Sequence, residues 1–223
     1  MVKVKEYLLH TFVADFLNEN SVVVDLGANK GGFSESIAAQ YECRVFAVEP
    51  VPEVFQKIKA GELIEKFNYC IAGQSGIRKL HISPATCAAL YKTGDTSQEI
   101  EVRCVSLDDF ISSNGIEHID LLKVDIEEAE IELFESIKEE TLKKIDQITV
   151  EFHDFLWPKL KERVEVIKEK LVKGYYCIPF SITNDGDVLF VKKELISFFN
   201  YLYFRYIVRY LMGFKRRFHR LFR

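Results

Sequence analysis

The residues best able to do chemistry in this sequence are Asp125, which follows the apolar run 121–124, and Glu151 and His153, which close the run 147–152. An imidazole titrates close to neutrality, so it can take a proton from a reacting group, and a neighbouring carboxylate can orient it. His153 is read as a general base, oriented by Asp125 or Glu151. Such a base serves a reacting group whose own pKa lies far above neutral. Alternation along an extended strand puts Glu151 and His153 on one face. Two other readings stay open. His153 could be a hydrogen-bonded strand-end residue, or the three residues could hold Mg²⁺ or a similar ion that acidifies the reacting group. Two carboxylates and an imidazole do not specify a metal, so a divalent ion is allowed for and not favoured. Glu127 and Glu130 could bind substrate hydroxyls, or could be first-turn acids that favour a helix dipole.

A second string, Asp25-Leu26-Gly27-Ala28-Asn29-Lys30-Gly31-Gly32-Phe33, reads as a glycine turn between a strand and a helix. Glycine lets backbone approach a ligand, and a helix N-terminus favours an anion. A dinucleotide fingerprint would need glycine at 27, 29 and 32, and position 29 is asparagine. No Gly-Lys-Ser/Thr follows, so Walker-type phosphate binding is excluded as well. The ligand expected is a nucleoside with no pyrophosphate and a small anionic end of its own, which S-adenosylmethionine fits through its carboxylate. Glu49 lies 24 residues after Asp25, where an acid can accept hydrogen bonds from both ribose hydroxyls. The plain alternative is a tight turn without a ligand and a solvated acid before Pro50.

Such residues meet only if strands and helices alternate. Tyr7, Leu8, Phe12, Val13, Phe16 and Leu17 recur at helical spacing, which predicts a helix at the N-terminus. Val22–Leu26 reads as a buried parallel strand, 33–40 as a helix, 44–48 as a strand and 53–60 as a helix. Asn68–Ala72, Leu121–Ile126, a helix from about Glu128, Gln147–Phe152 and a charged helix at 158–173 continue the pattern. Short strands are expected around 78–83 and 100–105, with a loop containing Pro84. Tyr175–Phe180 and Val188–Val191 flank Asn184-Asp185-Gly186-Asp187, a hairpin signal. The expected fold is α/β, a mostly parallel mixed sheet ending in an antiparallel hairpin.

The net charge of −4 over 223 residues is an average of two unlike parts. Residues 192–223 hold 9 of the 30 Lys+Arg, 1 of the 34 Asp+Glu and 10 of the 28 Phe+Tyr, a local balance of +8 against −12 for the rest. The division expected is therefore a catalytic domain over 1–191 and a basic amphipathic helix over 192–223. Arg205 and Arg209 interrupt the apolar run 195–214, and each would cost about 2.5–3.5 kcal/mol in a spanning helix. With Arg216, Arg220 and Arg223 they form one stripe, which suits a helix lying on an anionic membrane surface. Docking on the domain or on a second subunit, as in a homo-oligomer, is the alternative, and RNA a weaker one. The five cysteines show no metal-ligand spacing and read as buried thiols, and the N-terminus lacks a signal-peptide pattern. A cytoplasmic setting is expected, peripheral on the inner membrane face if the tail binds lipid.

Four strings in order resemble the FkbM-type methyltransferases: Val24-Asp25-Leu26-Gly27-Ala28-Asn29-Lys30-Gly31, Ala47-Val48-Glu49-Pro50, the run from Leu122 to Glu130, and Val150-Glu151-Phe152-His153. The resemblance covers about residues 20–155. It implies a Rossmann-like class I methyltransferase fold using S-adenosylmethionine, usually on a hydroxyl oxygen of a sugar, glycan or other secondary metabolite. By that match Asp25, Gly27, Ala28, Asn29, Gly31 and Glu49 line the cofactor. Where the family usually has glycine this chain has Glu128, a departure that could alter specificity or activity. It keeps open a second class, a cofactor-binding fold without catalysis that serves as an interaction protein. Asn29 argues against a third, a nicotinamide oxidoreductase. Methylation of nucleic acid bases is disfavoured, because Asp125-Ile126-Glu127-Glu128 lacks the prolines of base amino-methyltransferases and would repel a phosphate backbone.

Overall fold

The computed structural model describes residues 2–82, 88–89, 98–126, 129–153, 158–181 and 186–214. Short runs of branched apolar residues bury both faces and satisfy their backbone groups by pairing sideways. The chain opens with β1 (Val4–Tyr7) and β2 (His10–Val13), then runs β3 (Val22–Leu26), α1 (Gly32–Tyr41), β4 (Arg44–Val48), α2 (Pro52–Phe55) and β5 (Ile64–Phe67). A group of strands follows: β6 (Cys70–Ala72), β7 (Gly76–Ile82), β8 (Ala88–Ala89) and β9 (Gln98–Ser106). Then come α3 (Leu107–Ser113), β10 (Leu121–Val124), α4 (Glu130–Ser136), α5 (Glu139–Leu142) and β11 (Gln147–Val150). The last elements are α6 (Lys161–Leu171), β12 (Tyr175–Pro179), β13 (Val188–Lys192) and α7 (Phe198–Tyr203).

Seven strands form the central sheet in the order β12-β13-β11-β10-β3-β4-β5. All run parallel except β13, which lies antiparallel between β11 and β12. The terminal hairpin expected from the sequence is therefore present, with its second strand inserted inside the first. Alternation sorts β3 between two cores: Val24 and Leu26 join Phe110, Phe134 and Ile167 on one face, and Val23 joins Phe33 and Ile37 of α1 on the other. The chain moves outward from β3 to β5 and returns to β10 on the other side of β3. That reversal opens a crevice at the carboxyl ends of β3 and β10, where an open α/β sheet binds its ligand. β6 to β9 form a separate sheet in the order β6-β9-β7-β8.

Three elements differ from the sequence reading. The N-terminal segment is a hairpin followed by a 3₁₀ turn at Ala14–Phe16, not a helix. Leu8 and Leu9 sit at φ +48° and +68°, which reverses the chain in two residues. All four residues of β2 are buried, because β2 lies across the central sheet: Val13 N–H donates to Gln147 Oε1 (2.8 Å) and Thr11 N–H to Asp187 Oδ1 (3.1 Å). A strand buried on both faces mimics helical spacing when only apolar positions are counted. The strand that follows β4 in the central sheet is β5, and the segment at 68–72 is not part of that sheet. Asn68 Nδ2 turns the chain by donating to the carbonyls of Glu49 (2.9 Å) and Pro50 (3.0 Å), and Cys70–Ala72 then pairs with β9 in the second sheet. The helix expected at 53–60 is only one turn long. The Pro84 loop and residues 182–185 of the hairpin turn lie outside the described residues.

Gly27 shows how tightly the crevice is built. Its φ is +75°, and a Cβ there would overlap the carbonyl oxygen of Asp125. Gly115 has φ +60° but open space around it. Gly27→Ala is therefore expected to destabilise the chain by about 3 kcal/mol or more, and Gly115→Ala by about 1 kcal/mol, when the two are compared by urea unfolding.

Candidate functional site

The turn from β3 into α1 is tied to the end of β4. Gly27 and Ala28 both donate their N–H groups to Val48 O (3.0 and 2.9 Å), and Asn29 N–H donates to Glu49 Oε2 (2.9 Å). Asn29 and Gly31 lie at φ +51° and +85°, a conformation that asparagine tolerates better than most residues. The other Glu49 oxygen accepts from Val51 N–H (2.9 Å). Glu49 is buried, and burial pushes its carboxyl pKa up, a shift that the Val51 and Asn29 N–H groups partly offset. No side chain caps the first turn of α1. The turn expected from the sequence and Glu49 thus meet, joined by one direct hydrogen bond.

Beneath the turn lies an ion pair that the sequence reading passed over. Asp25 and Lys123 are partners in the β3–β10 register, so their side chains leave the sheet side by side. Lys123 Nζ is 3.0 Å from Asp25 Oδ1 and donates to Gly27 O (2.8 Å). Ser34 Oγ of α1 donates to Asp25 Oδ2 (2.6 Å). Burial alone would lower the Lys123 pKa, but Asp25 and Asp125 outweigh it and raise the value. Asp25 is 0% exposed, so its carboxylate supports the turn from below. The signal for this pair was one acid and one lysine standing alone in two otherwise apolar runs.

At the carboxyl edge Asp125 is the centre of a cluster. Its Oδ2 is 3.6 Å from Lys123 Nζ and 3.5 Å from Nε2 of His10, which the hairpin delivers from β2. Burial would raise the Asp125 pKa, but Lys123 and His10 hold it well below the usual carboxylate range. Donor atoms of His10, Asp125 and Glu151 lie within 4.8 Å of one another, and so do those of Asp125, Glu130 and His153. Glu151 and His153 both approach Asp125, in keeping with their alternation along the chain. Among the described residues, His153 hydrogen-bonds with Glu130, a residue of α4. His153 Nδ1 lies 2.9 Å from Glu130 Oε1, the same oxygen that accepts from Ile126 N–H (3.2 Å). Glu130 is 1% exposed and sits against His153. Glu127 and Glu128 lie outside the described residues. His10 was not singled out in the sequence, because nothing local shows that residue 10 returns to the edge after residue 124.

The tail also differs in orientation from the stripe expected. α7 continues through a π-helical turn at Phe204–Val208 and is helical again over 209–214. Arg205 donates to Cys177 O (2.9 Å) and Arg209 to Ser181 O (3.1 Å), so these arginines face the body and not a leaflet. Phe204 is buried among Ile178, Phe180 and Leu189. The outward face carries Phe199 (82% exposed), Phe214 (74%), Leu211, Tyr206 and Ile207. No helix of the described residues is long and apolar enough to cross a membrane. Arg216, Arg220 and Arg223 lie outside the described residues.

A seven-stranded sheet of this order, with one antiparallel strand and a glycine turn facing an acid at the crevice, defines the fold of class I methyltransferases. The chain belongs to the methyltransferase FkbM domain family, which it matches over residues 25–176. It is 26% identical over 216 residues to 31-O-demethyl-FK506 methyltransferase FkbM of Streptomyces tacrolimicus, covering 80% of each chain. It is 25% identical over 146 residues to the hexuronic acid methyltransferase AglP of Haloferax volcanii, covering 63% of this chain and 59% of that protein. Among solved structures, methyltransferase FkbM from Methylobacillus flagellatus KT superposes with a TM-score of 0.50 at 12% identity, over 78% of this chain and 44% of that one. His10 and the tail fall outside the matched residues.

The buried ion pair generates a test of its own. Lys123→Met leaves Asp25 charged and buried, and is expected to cost about 3–5 kcal/mol in urea unfolding. Adding Asp25→Asn is expected to restore a large part of that loss, a coupling that a double-mutant cycle measures directly.

Proposed function

We propose that this chain transfers a methyl group from S-adenosylmethionine to a hydroxyl oxygen of a sugar, glycan or related small metabolite. The observation that carries the reading is the His153–Glu130 pair beside Asp125, at the same crevice as the glycine turn and Glu49. The donor set fits S-adenosylmethionine. Each Glu49 oxygen accepts one backbone N–H and keeps a lone pair for a ribose hydroxyl. The N–H groups of residues 27–29 are used on Val48 and Glu49, which disfavours a pyrophosphate, while the uncapped start of α1 suits a small carboxylate. Gly27, Ala28, Asn29, Gly31 and Glu49 would hold the nucleoside, with Asp25 acting through Lys123 and Ser34 to keep the turn in place.

When bound, S-adenosylmethionine supplies an electrophilic methyl carbon on a sulfonium. The chain's own part is orientation and removal of a proton. An ionised Glu130 can only accept, so Nδ1 of a neutral His153 is its hydrogen-bearing nitrogen and Nε2 carries the basic lone pair. Nε2 would take the acceptor's proton, which frees that oxygen to bond to the methyl carbon that S-adenosylmethionine would supply. A 31-O-demethyl acceptor in one relative and a hexuronic acid in another support an oxygen-rich substrate class. His153→Gln is expected to lower methyl transfer to uronic-acid saccharides by about 100- to 10,000-fold, with S-adenosylhomocysteine affinity by calorimetry within about twofold of the parent. Undiminished transfer by that variant would overturn the assignment.

The tail would set location. We propose that the outward face of the helix over 198–214, with Lys215, Arg216, Arg217, Arg220 and Arg223 beyond it, lies on an anionic membrane surface at the cytoplasmic side. The free thiols of Cys43, Cys70 and Cys104 suit a reducing compartment. The basic run gives charge complementarity to anionic lipid, which the same basic tail of a second copy would lack. The full chain is expected to float with vesicles containing phosphatidylserine and not with neutral ones, and Leu211→Asp/Phe214→Asp to abolish flotation. A chain that stays in solution overturns the proposal, and a dimer dissolved by the same substitutions would assign the face to a second copy.

A further inference from the structure

Asp125 stands between two imidazoles that differ in how well they are satisfied. On one side His153 and Glu130 complete each other at 2.9 Å, and the same Glu130 oxygen also accepts from Ile126 N–H. On the other side stands His10, whose residue is 1% exposed. Its Nδ1 finds no hydrogen-bond partner among the described residues, and its Nε2 approaches Asp125 Oδ2 only to 3.5 Å, long for a hydrogen bond. Glu151 completes this side, with one donor atom of each of the three residues inside a 4.8 Å spread.

Lys123 is shared between Asp25 at 3.0 Å and Asp125 at 3.6 Å, so Asp125 does not have this ammonium to itself. Asp125 and Glu151 are partly exposed, which leaves an approach from solvent. Donors on an octahedral ion at about 2.1 Å stand about 3.0 Å apart when adjacent and about 4.2 Å apart when opposite, so the spread fits one ion. Two carboxylates and one imidazole suit Mg²⁺ or Mn²⁺ better than a thiolate-seeking metal.

We propose that His10, Asp125 and Glu151 bind one divalent cation of this kind, with water and the acceptor's own oxygens completing its shell. The trio differs from the one that the sequence suggested, since His153 is engaged by Glu130 and His10 takes its place. His10 lies outside residues 25–176, so the N-terminal hairpin of this chain contributes a ligand beyond the family domain. The role of the ion rests on the methyltransferase reading. A vicinal diol, or a hydroxyl beside a carboxylate, would reach the ion through two adjacent oxygens, and the acidified hydroxyl would face His153 across Asp125.

The test reads binding without turnover. Mn²⁺ is titrated into the full chain at neutral pH and followed by the electron paramagnetic resonance of the free ion. One saturable site is expected, displaced by excess Mg²⁺. Glu151→Gln and His10→Gln are each expected to weaken it at least about tenfold, and His153→Gln to change it by less than about twofold. Calorimetry with S-adenosylhomocysteine reports on the fold of every variant, and the partly exposed Glu151 is the substitution safest for folding. No saturable uptake up to millimolar Mn²⁺, in protein that still binds S-adenosylhomocysteine, overturns the site. Uptake unchanged by both substitutions overturns it as well. Failure of the methyltransferase reading would show instead as loss of S-adenosylhomocysteine binding, whatever the Mn²⁺ result.

Discussion

The crevice depends on a single buried ammonium. Lys123 rises from the middle of the sheet and donates to the carbonyl of Gly27 while pairing with Asp25 and approaching Asp125. A buried charge is costly unless it is paired and hydrogen-bonded, so these partners have little freedom to move apart. The parallel register supplies the geometry, because it sets Lys123 opposite Asp25 in the neighbouring strand. Gly27 then has to be glycine, since the end of β10 comes too close for a side chain. The residue type that a sequence motif would credit to ligand binding is required first by backbone packing.

From that anchor the rest of the site is built outward in two directions. Toward β4, the turn reaches Glu49 through Asn29 N–H, and Asn68 braces the Glu49 and Pro50 carbonyls from the start of the second sheet. Toward β11, Asp125 brings together residues from four separate elements or their ends: β2, β10, α4 and β11. Each direction uses backbone donors to hold carboxylates in place, which keeps their orientation independent of solvent. An imidazole at the same edge as this turn is the arrangement that the proposed methyl transfer would use, since displacement at a methyl carbon depends on alignment.

The hairpin and the tail decorate this frame from outside the family domain, and both were misread in part. Apolar residues at 7, 8, 12, 13, 16 and 17 have helical spacing, yet the turn at Leu8–Leu9 and the buried contacts of β2 with Gln147 and Asp187 make them strands. In the tail, Arg205 and Arg209 do share a stripe, but carbonyls in the middle of β12 and just beyond it take them, and the aromatic side is left outward. Amphipathicity fixes which residues share a face. It does not say which of two faces meets the protein.

The linear order of residues determined much on its own. Short apolar runs separated by helical stretches dictate a parallel sheet, because strands that close together along the chain need crossovers to pair. The glycine turn, Glu49, and the acids and imidazole after residues 124 and 150 were legible because each sits at the end of such a run. Tertiary structure alone decided how they combine. Lys123 and Asp25 lie 98 positions apart, and only register makes them one ion pair. His153 found Glu130, a partner that its chain neighbours do not suggest, because α4 begins where β10 ends and turns Glu130 inward. His10 reached Asp125 through a hairpin whose pairing is invisible in periodicity. Local sequence encodes which residues can be buried and in what rhythm; which charges then face each other is a long-range consequence of packing, where desolvation makes pairing compulsory.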